Sequence, residues 1–234
     1  ITWTGGGAGS SFGTAADLEI EVADGRILGF QLKSVGTGLG TMRNPYNDVL
    51  MKRVGADSSS ITRAALSDCL GAIEGYLPKG QKPTSFAQLF AIRKAMEKNE
   101  KRREMELLAK EAYEPVKLKL CQKFTDAFNS LDPEARATLM TELMGVEEGS
   151  SLTLVVHDEK QCRILSHHGL VETLREFDLN AKVKSANSLL IGSGNKDYFR
   201  LNSSAANGQG ISPPAWRIFY CSDSETLLKD LAES

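Results

Sequence analysis

The sequence predicts an α/β protein with a mixed central sheet, flanking helices and long helices inserted between its strands. Three observations predict this. Residues 17–22 (DLEIEV) and 26–34 (RILGFQLKS) alternate polar and apolar side chains, the period of half-buried strands. From about residue 61 to Gly145 the apolar spacing lengthens to that of helices, and from Ser151 it returns to that of strands. The chain is thus read in three parts: 1–60, the hairpin and Gly-rich loops of the core; 61–145, a helical insertion; 146–234, the remaining strands and a C-terminal helix of the same core.

The first strand carries Asp17, Glu19 and Glu21 on one face and Leu18, Ile20 and Val22 on the other. In the second, Leu28, Phe30 and Leu32 alternate with Gly29, Gln31 and Lys33. A two-residue turn at Asp24-Gly25 would mix these faces, because it pairs Val22 with Ile27. A three-residue loop with Gly25 in the left-handed region pairs Val22 with Arg26, Ile20 with Leu28 and Leu18 with Phe30, and keeps them apart. Asp17 then faces Gln31, with Lys33 next on the same side.

After a glycine-punctuated segment (SVGTGLGTMRNP), Ser60 is the expected cap of a helix over about 61–76. Pro83-Thr84-Ser85 opens a helix expected to run from Phe86 to about Glu114, to break or kink at Pro115 and to resume to Phe128. Asp132-Pro133 starts another, ending at Gly145. LTLVV, CRIL, SLLIG, YFRLN and WRIFYC read as strands, and residues 224–232 as a closing helix.

Composition narrows the class. With 234 residues, 41% hydrophobic and 25% charged, the chain can build a substantial core and is neither a disordered tail nor a fibre. No run approaches the roughly 18 apolar residues of a membrane span, and ITWTGGGAGSS lacks the layout of a signal peptide, so a cytoplasmic protein without a membrane partner is expected. The start, without Met or a lead-in helix, reads as entry into a fold already under way. Net charge is −2, but Arg93–Lys123 holds ten Lys or Arg against six Glu. Glutamates at spacings of three and four favour a solvated helix with internal ion pairs there. Cys69, Cys121, Cys162 and Cys221 form no CxxC pair and read as reduced thiols.

The residues that carry chemistry lie in the hairpin. Phosphodiester hydrolysis needs a divalent ion held by hard oxygens and a cation beside the attacking water. Asp17, the side-chain oxygen of Gln31 and the main-chain carbonyl of Leu32 supply such ligands, and Lys33 supplies the cation. Asp17, thirteen intervening residues and then Gln31-Leu32-Lys33 resemble the PD-(D/E)xK motif of restriction-endonuclease-like nucleases. The string TGGGAGS…D…GFQLKS resembles, more narrowly, type II restriction endonucleases of the HpaII kind. The likeness covers residues 3–34 and departs from the motif at Ala16, where Pro is usual, and at Gln31, where Asp or Glu is usual.

The resemblance implies a restriction-endonuclease-like fold, Mg2+ as cofactor and sequence-specific cleavage of double-stranded DNA within a restriction system. A short GC-rich palindrome would be read by a homodimer or by two copies acting on opposite strands. Asp17, Gln31 and Lys33 would be catalytic, and Asp17, Gln31, Leu32 and Glu19 would surround the metal. Ser34, Arg43, Asn44, Lys52 and Arg53 are expected to contact DNA, having donors suited to phosphates and guanine edges. Arg200, Asn202, Arg217 and the loop NSSAANGQG are weaker expectations of the same kind. The alternative is a non-enzymatic nucleic-acid or protein-binding module that keeps the hairpin as structure. GGGAGSSFG fails the register of a dinucleotide or P-loop motif, and His157, His167 and His168 read as structural or solvent-exposed.

Overall fold

The protein, analysed as a computed structural model, is described over residues 18–34, 45–146, 148, 152–157, 162–205 and 211–233. The chain is α/β, and its described strands form two four-stranded sheets where a single central sheet was expected. The first joins β1 (Leu18–Glu21), β2 (Ile27–Ser34), β3 (Leu152–His157) and β4 (Cys162–Leu165) in that order. It is mixed, since β2 and β3 are parallel while the outer pairs are antiparallel. The second is an antiparallel meander of β5 (Asn180–Ser185), β6 (Ser188–Ser193), β7 (Lys196–Ala205) and β8 (Pro214–Tyr220). The late strands expected to extend the hairpin's sheet therefore divide: β3 and β4 join it, and the rest pair among themselves.

The crossover between β2 and β3 carries α1 (Asn47–Arg53), α2 (Ser59–Ile73), a 3-10 turn at Glu74–Tyr76, α3 (Phe86–Ala95), α4 (Glu100–Ser130) and α5 (Pro133–Leu143). A crossover of this kind is what a parallel pair requires. α6 (His167–Glu176) and α7 (Ser224–Glu233) complete the chain, and α7 touches β3 and β4 of one sheet and β7 of the other. One hydrophobic core runs through both sheets, from Leu154, Val156 and Leu165 to Leu189, Phe199, Leu201, Trp216 and Ile218.

The long helix differs from expectation at two points. It breaks early, at residues 96–99, where Asn99 Oδ1 accepts from the Arg102 amide (3.1 Å) as a fresh N-cap. Arg102 Nη1 donates to the Met96 carbonyl (3.1 Å), and Glu106 accepts from Arg93 Nε (2.6 Å) and Arg102 Nε (3.0 Å). Two cations of the basic run thus fix this joint. α4 then continues unbroken through Pro115. A proline inside a helix costs about 3 kcal/mol, through a lost hydrogen bond and a ring clash. Against it stands an unbroken buried stripe of Met105, Ala109, Tyr113, Val116, Leu120, Phe124 and Phe128, each large apolar side chain contributing about 1.5–3 kcal/mol. The stripe wins.

α4 also anchors the second sheet. The Phe124 ring lies 5.5 Å from that of Trp216. The Asn129 side chain bonds both backbone groups of Ala181, donating to its carbonyl (2.9 Å) and accepting from its amide (2.8 Å), which gives the edge strand β5 partners it would otherwise lack. The expected helix after Asp132-Pro133 is α5, with Asp132 Oδ1 accepting from the Ala135 amide (2.7 Å). α1, α6 and β5 are elements the sequence pattern did not predict.

Candidate functional site

The hairpin forms as its loop chemistry dictates. Gly25 has φ +83°, in the left-handed region where a side chain is costly. The Gly25 amide donates to the Val22 carbonyl (2.9 Å), and the Val22 amide donates to the Arg26 carbonyl (2.9 Å), closing a three-residue loop over Ala23, Asp24 and Gly25. Asp24 braces it from outside, accepting from the amide (3.1 Å) and Nε (2.7 Å) of Arg26. Leu18 then pairs with Phe30, Glu19 with Gly29 and Ile20 with Leu28.

On its other side β2 runs beside β3, with Gly29 opposite Leu152, Gln31 opposite Leu154 and Lys33 opposite Val156. Backbone positions 19, 29, 31 and 33 therefore fall on one side of the pleat, the side on which Leu154, Val156 and Leu165 are buried in the core. The other side holds Leu18, Ile20, Leu28, Phe30, Leu32 and Val155, all half-buried, and Ile164, which is 63% exposed. Asp17 lies outside the described residues. The side chains of Glu19, Gln31, Lys33 and Ser34 lie outside them too, as do Arg43, Asn44 and the glycine run of residues 5–13.

The remaining DNA-contact candidates sit on α1. Arg53 is engaged within the fold, where Nη1 donates to Glu142 Oε2 of α5. Lys52 is exposed and lines a cavity of about 430 Å³ with Asp48, Gly55 and Asp57. Hydrogen bonds from the Ser59 side chain and backbone hold the Asp57 carboxyl below its usual range. A second cavity of about 430 Å³ adjoins it, lined by Thr62, Arg63, Leu66, Thr84, Phe86 and Pro213 among others. None of its residues was expected to be functional from the sequence; of its lining Thr84-Ser85 was singled out only as a helix start. The start of α2 is itself displaced from the expected Ser60, since Ser58 stands at the N-cap and Ser58 Oγ accepts from Asn47 Nδ2 (2.7 Å). Asn47 Oδ1 in turn accepts from Trp216 Nε1 (3.0 Å), and the Trp216 amide donates to the Pro45 carbonyl (3.0 Å). The segment after the hairpin is thereby stitched to β8.

The weaker candidates on the late strands come together. Asn202 pairs with Arg217, and Arg200 pairs with Phe219, whose ring lies 5.0 Å from the Arg200 guanidinium carbon. His168 Nε2 lies 3.3 Å from Glu172 Oε1, His167 precedes it at the start of α6, and of His157 only the backbone is described. Among the described residues no group of three or more His, Cys, Asp or Glu side chains is arranged to hold a metal ion. Cys69, Cys121 and Cys221 are reduced thiols, Cys69 donating to the Ala109 carbonyl (3.5 Å), and burial pushes Cys69 up to about 12 and Cys121 up to about 11, so neither is a thiolate at neutral pH. No described helix is long and apolar enough to cross a membrane. No protein-family model, characterised protein or solved structure matches the chain.

Proposed function

We propose that the chain is a Mg2+-dependent endonuclease that hydrolyses double-stranded DNA in a sequence-specific manner, as a restriction enzyme of the PD-(D/E)xK type. The observation that carries this is the hairpin register. Leu18 against Phe30, with Gly25 at φ +83°, is the register that the motif reading expects of the hairpin, and it supports a reading in which Asp17, Gln31 and Lys33 serve one site. The donor set of Asp17, Gln31 and the Leu32 carbonyl consists of hard oxygens, which suit Mg2+ over softer metals. When bound, the ion would polarise the phosphate and lower the pKa of a water molecule. Asp17 supplies the anion, the neutral Gln31 amide an oxygen without charge, and Glu19 a further carboxylate nearby. Lys33 orients the attacking water and offsets charge developing on the phosphate.

Incubating supercoiled plasmid with the protein in Mg2+ and, in parallel, in EDTA tests the proposal. Linear or nicked DNA with ends at discrete sequence positions is expected in Mg2+ only. Intact plasmid in both Mg2+ and Mn2+ would turn the assignment to a non-enzymatic binding module.

A further inference from the structure

We propose that the outer face of the second sheet is a docking surface for double-stranded DNA. The core face of that sheet carries Ala181, Leu189, Ile191, Phe199, Leu201, Trp216 and Ile218. On the opposite face the register lines up Lys182, Leu190, Arg200 and Phe219 in one row, and Ser188, Asn202 and Arg217 in the next. Leu190, only 6% exposed, belongs to no part of the main core and is flanked across the strands by the Lys182 and Arg200 stems. Lys182 pairs with Asp197 (2.7 Å), while the exposed Lys184 and Arg217 take part in no ion pair among the described residues. Lys184 shares the surroundings of Arg200: burial, Asp197 and Asp223 raise the Cys221 thiol, and the charges of Arg200 and Lys184 oppose them. A chain of net charge −2 thus gathers Lys182, Lys184, Arg200 and Arg217 around two acids, Asp197, which is paired with Lys182, and Asp223. Phosphates complement that charge.

Two features select a duplex. Cations on the edge strands β5 and β8 are three strand spacings apart, roughly 14 Å, close to the roughly 12 Å major groove. Between them stand the half-buried Arg200 and Asn202, whose Nε and Oδ1 atoms are buried with no hydrogen-bond partner among the described residues, a donor and an acceptor side by side. Arg and Asn are the side chains whose forked groups match guanine and adenine edges in that groove. A stacked single strand is disfavoured, because the Arg200 guanidinium already lies against the Phe219 ring that a base would need.

The proposal concerns binding and stands apart from cleavage. The test measures anisotropy of a labelled duplex of about 30 base pairs in EDTA, from about 50 to 200 mM salt, with the full chain. Lys184→Ala combined with Arg217→Ala removes two exposed cations, and circular dichroism checks that the fold is kept. Affinity should fall roughly tenfold or more, and the slope of log affinity against log salt should flatten by about 2. Lys110→Ala on the exposed side of α4 should change neither. Unchanged binding in the double variant, an equal loss in Lys110→Ala, no duplex binding by the wild type, or equal affinity for a single strand would each overturn the proposal. Binding through this face without cleavage in Mg2+ would leave the surface standing and remove the nuclease assignment. Cleavage with unaltered binding in the double variant would do the reverse.

Discussion

The two sheets have four strands each and are built in opposite ways. The second is three successive antiparallel pairs, backed by α4, with Trp216, Phe199, Leu201 and Ile218 in the core. The first brings β2 beside β3 only after the whole helical segment has intervened; one side of it joins the core through Leu154, Val156 and Leu165, and the other is half-buried or, at Ile164, exposed. Closing a long loop costs more chain entropy than closing a hairpin, so the second sheet with α4 is expected to order before the first. The difference separates two duties. The second sheet and α4 supply stability, and the hairpin that bears Gln31 and Lys33 is carried on the less buried sheet.

The comparison breaks most visibly at Trp216. Trp216→Ala empties a fully buried site, loses the contact with Phe124 and leaves Asn47 Oδ1 without its donor, so a loss of about 3–5 kcal/mol is expected in urea unfolding. Phe30→Ala, on the half-buried side of the first sheet, should cost less than half as much. Equal losses would mean that both sheets bear stability alike. Gly192 comes next. A Cβ there would stand 1.9 Å from the Lys196 carbonyl oxygen at the irregularity in the β6–β7 pairing, so Gly192→Ala should cost about 1–3 kcal/mol and lower the melting temperature. The smallest effect belongs to Gly25, where a Cβ would meet nothing within 4 Å and only the left-handed backbone resists. Gly25→Val should cost about 1 kcal/mol globally. Hydrogen exchange should rise at β1 and β2 and stay unchanged at β6 and β7. Equal exchange in both sheets would show that they open as one unit.

The elements legible in the sequence were those written locally. Gly25 and the alternation around it fixed the hairpin register to the residue, and Asp132-Pro133 fixed the start of α5. What was not legible depended on distant partners. Pro115 reads as a breaker because its cost is local, whereas the packing of Tyr113, Val116 and Leu120 that overrides it is tertiary. NAKVKS looks polar and loop-like, and becomes β5 because Asn129 pairs with Ala181 and β6 lies on its other side. SLLIG is buried on both faces, so its pattern says strand but not which sheet. The candidate site was proposed from a motif alone, and its Asp17 lies outside the described residues. Arg200, Asn202, Arg217 and Lys182 became a face only through the pairing of four strands.

The central claim is that the hairpin is a catalytic site, and Lys33→Ala tests it most directly. Single-turnover cleavage of a plasmid in saturating Mg2+ should slow by roughly two or more orders of magnitude, because an ammonium acting on the attacking water and the developing charge is lost. DNA binding in EDTA should stay within a fewfold of wild type. Cleavage by Lys33→Ala at the wild-type rate would contradict the claim.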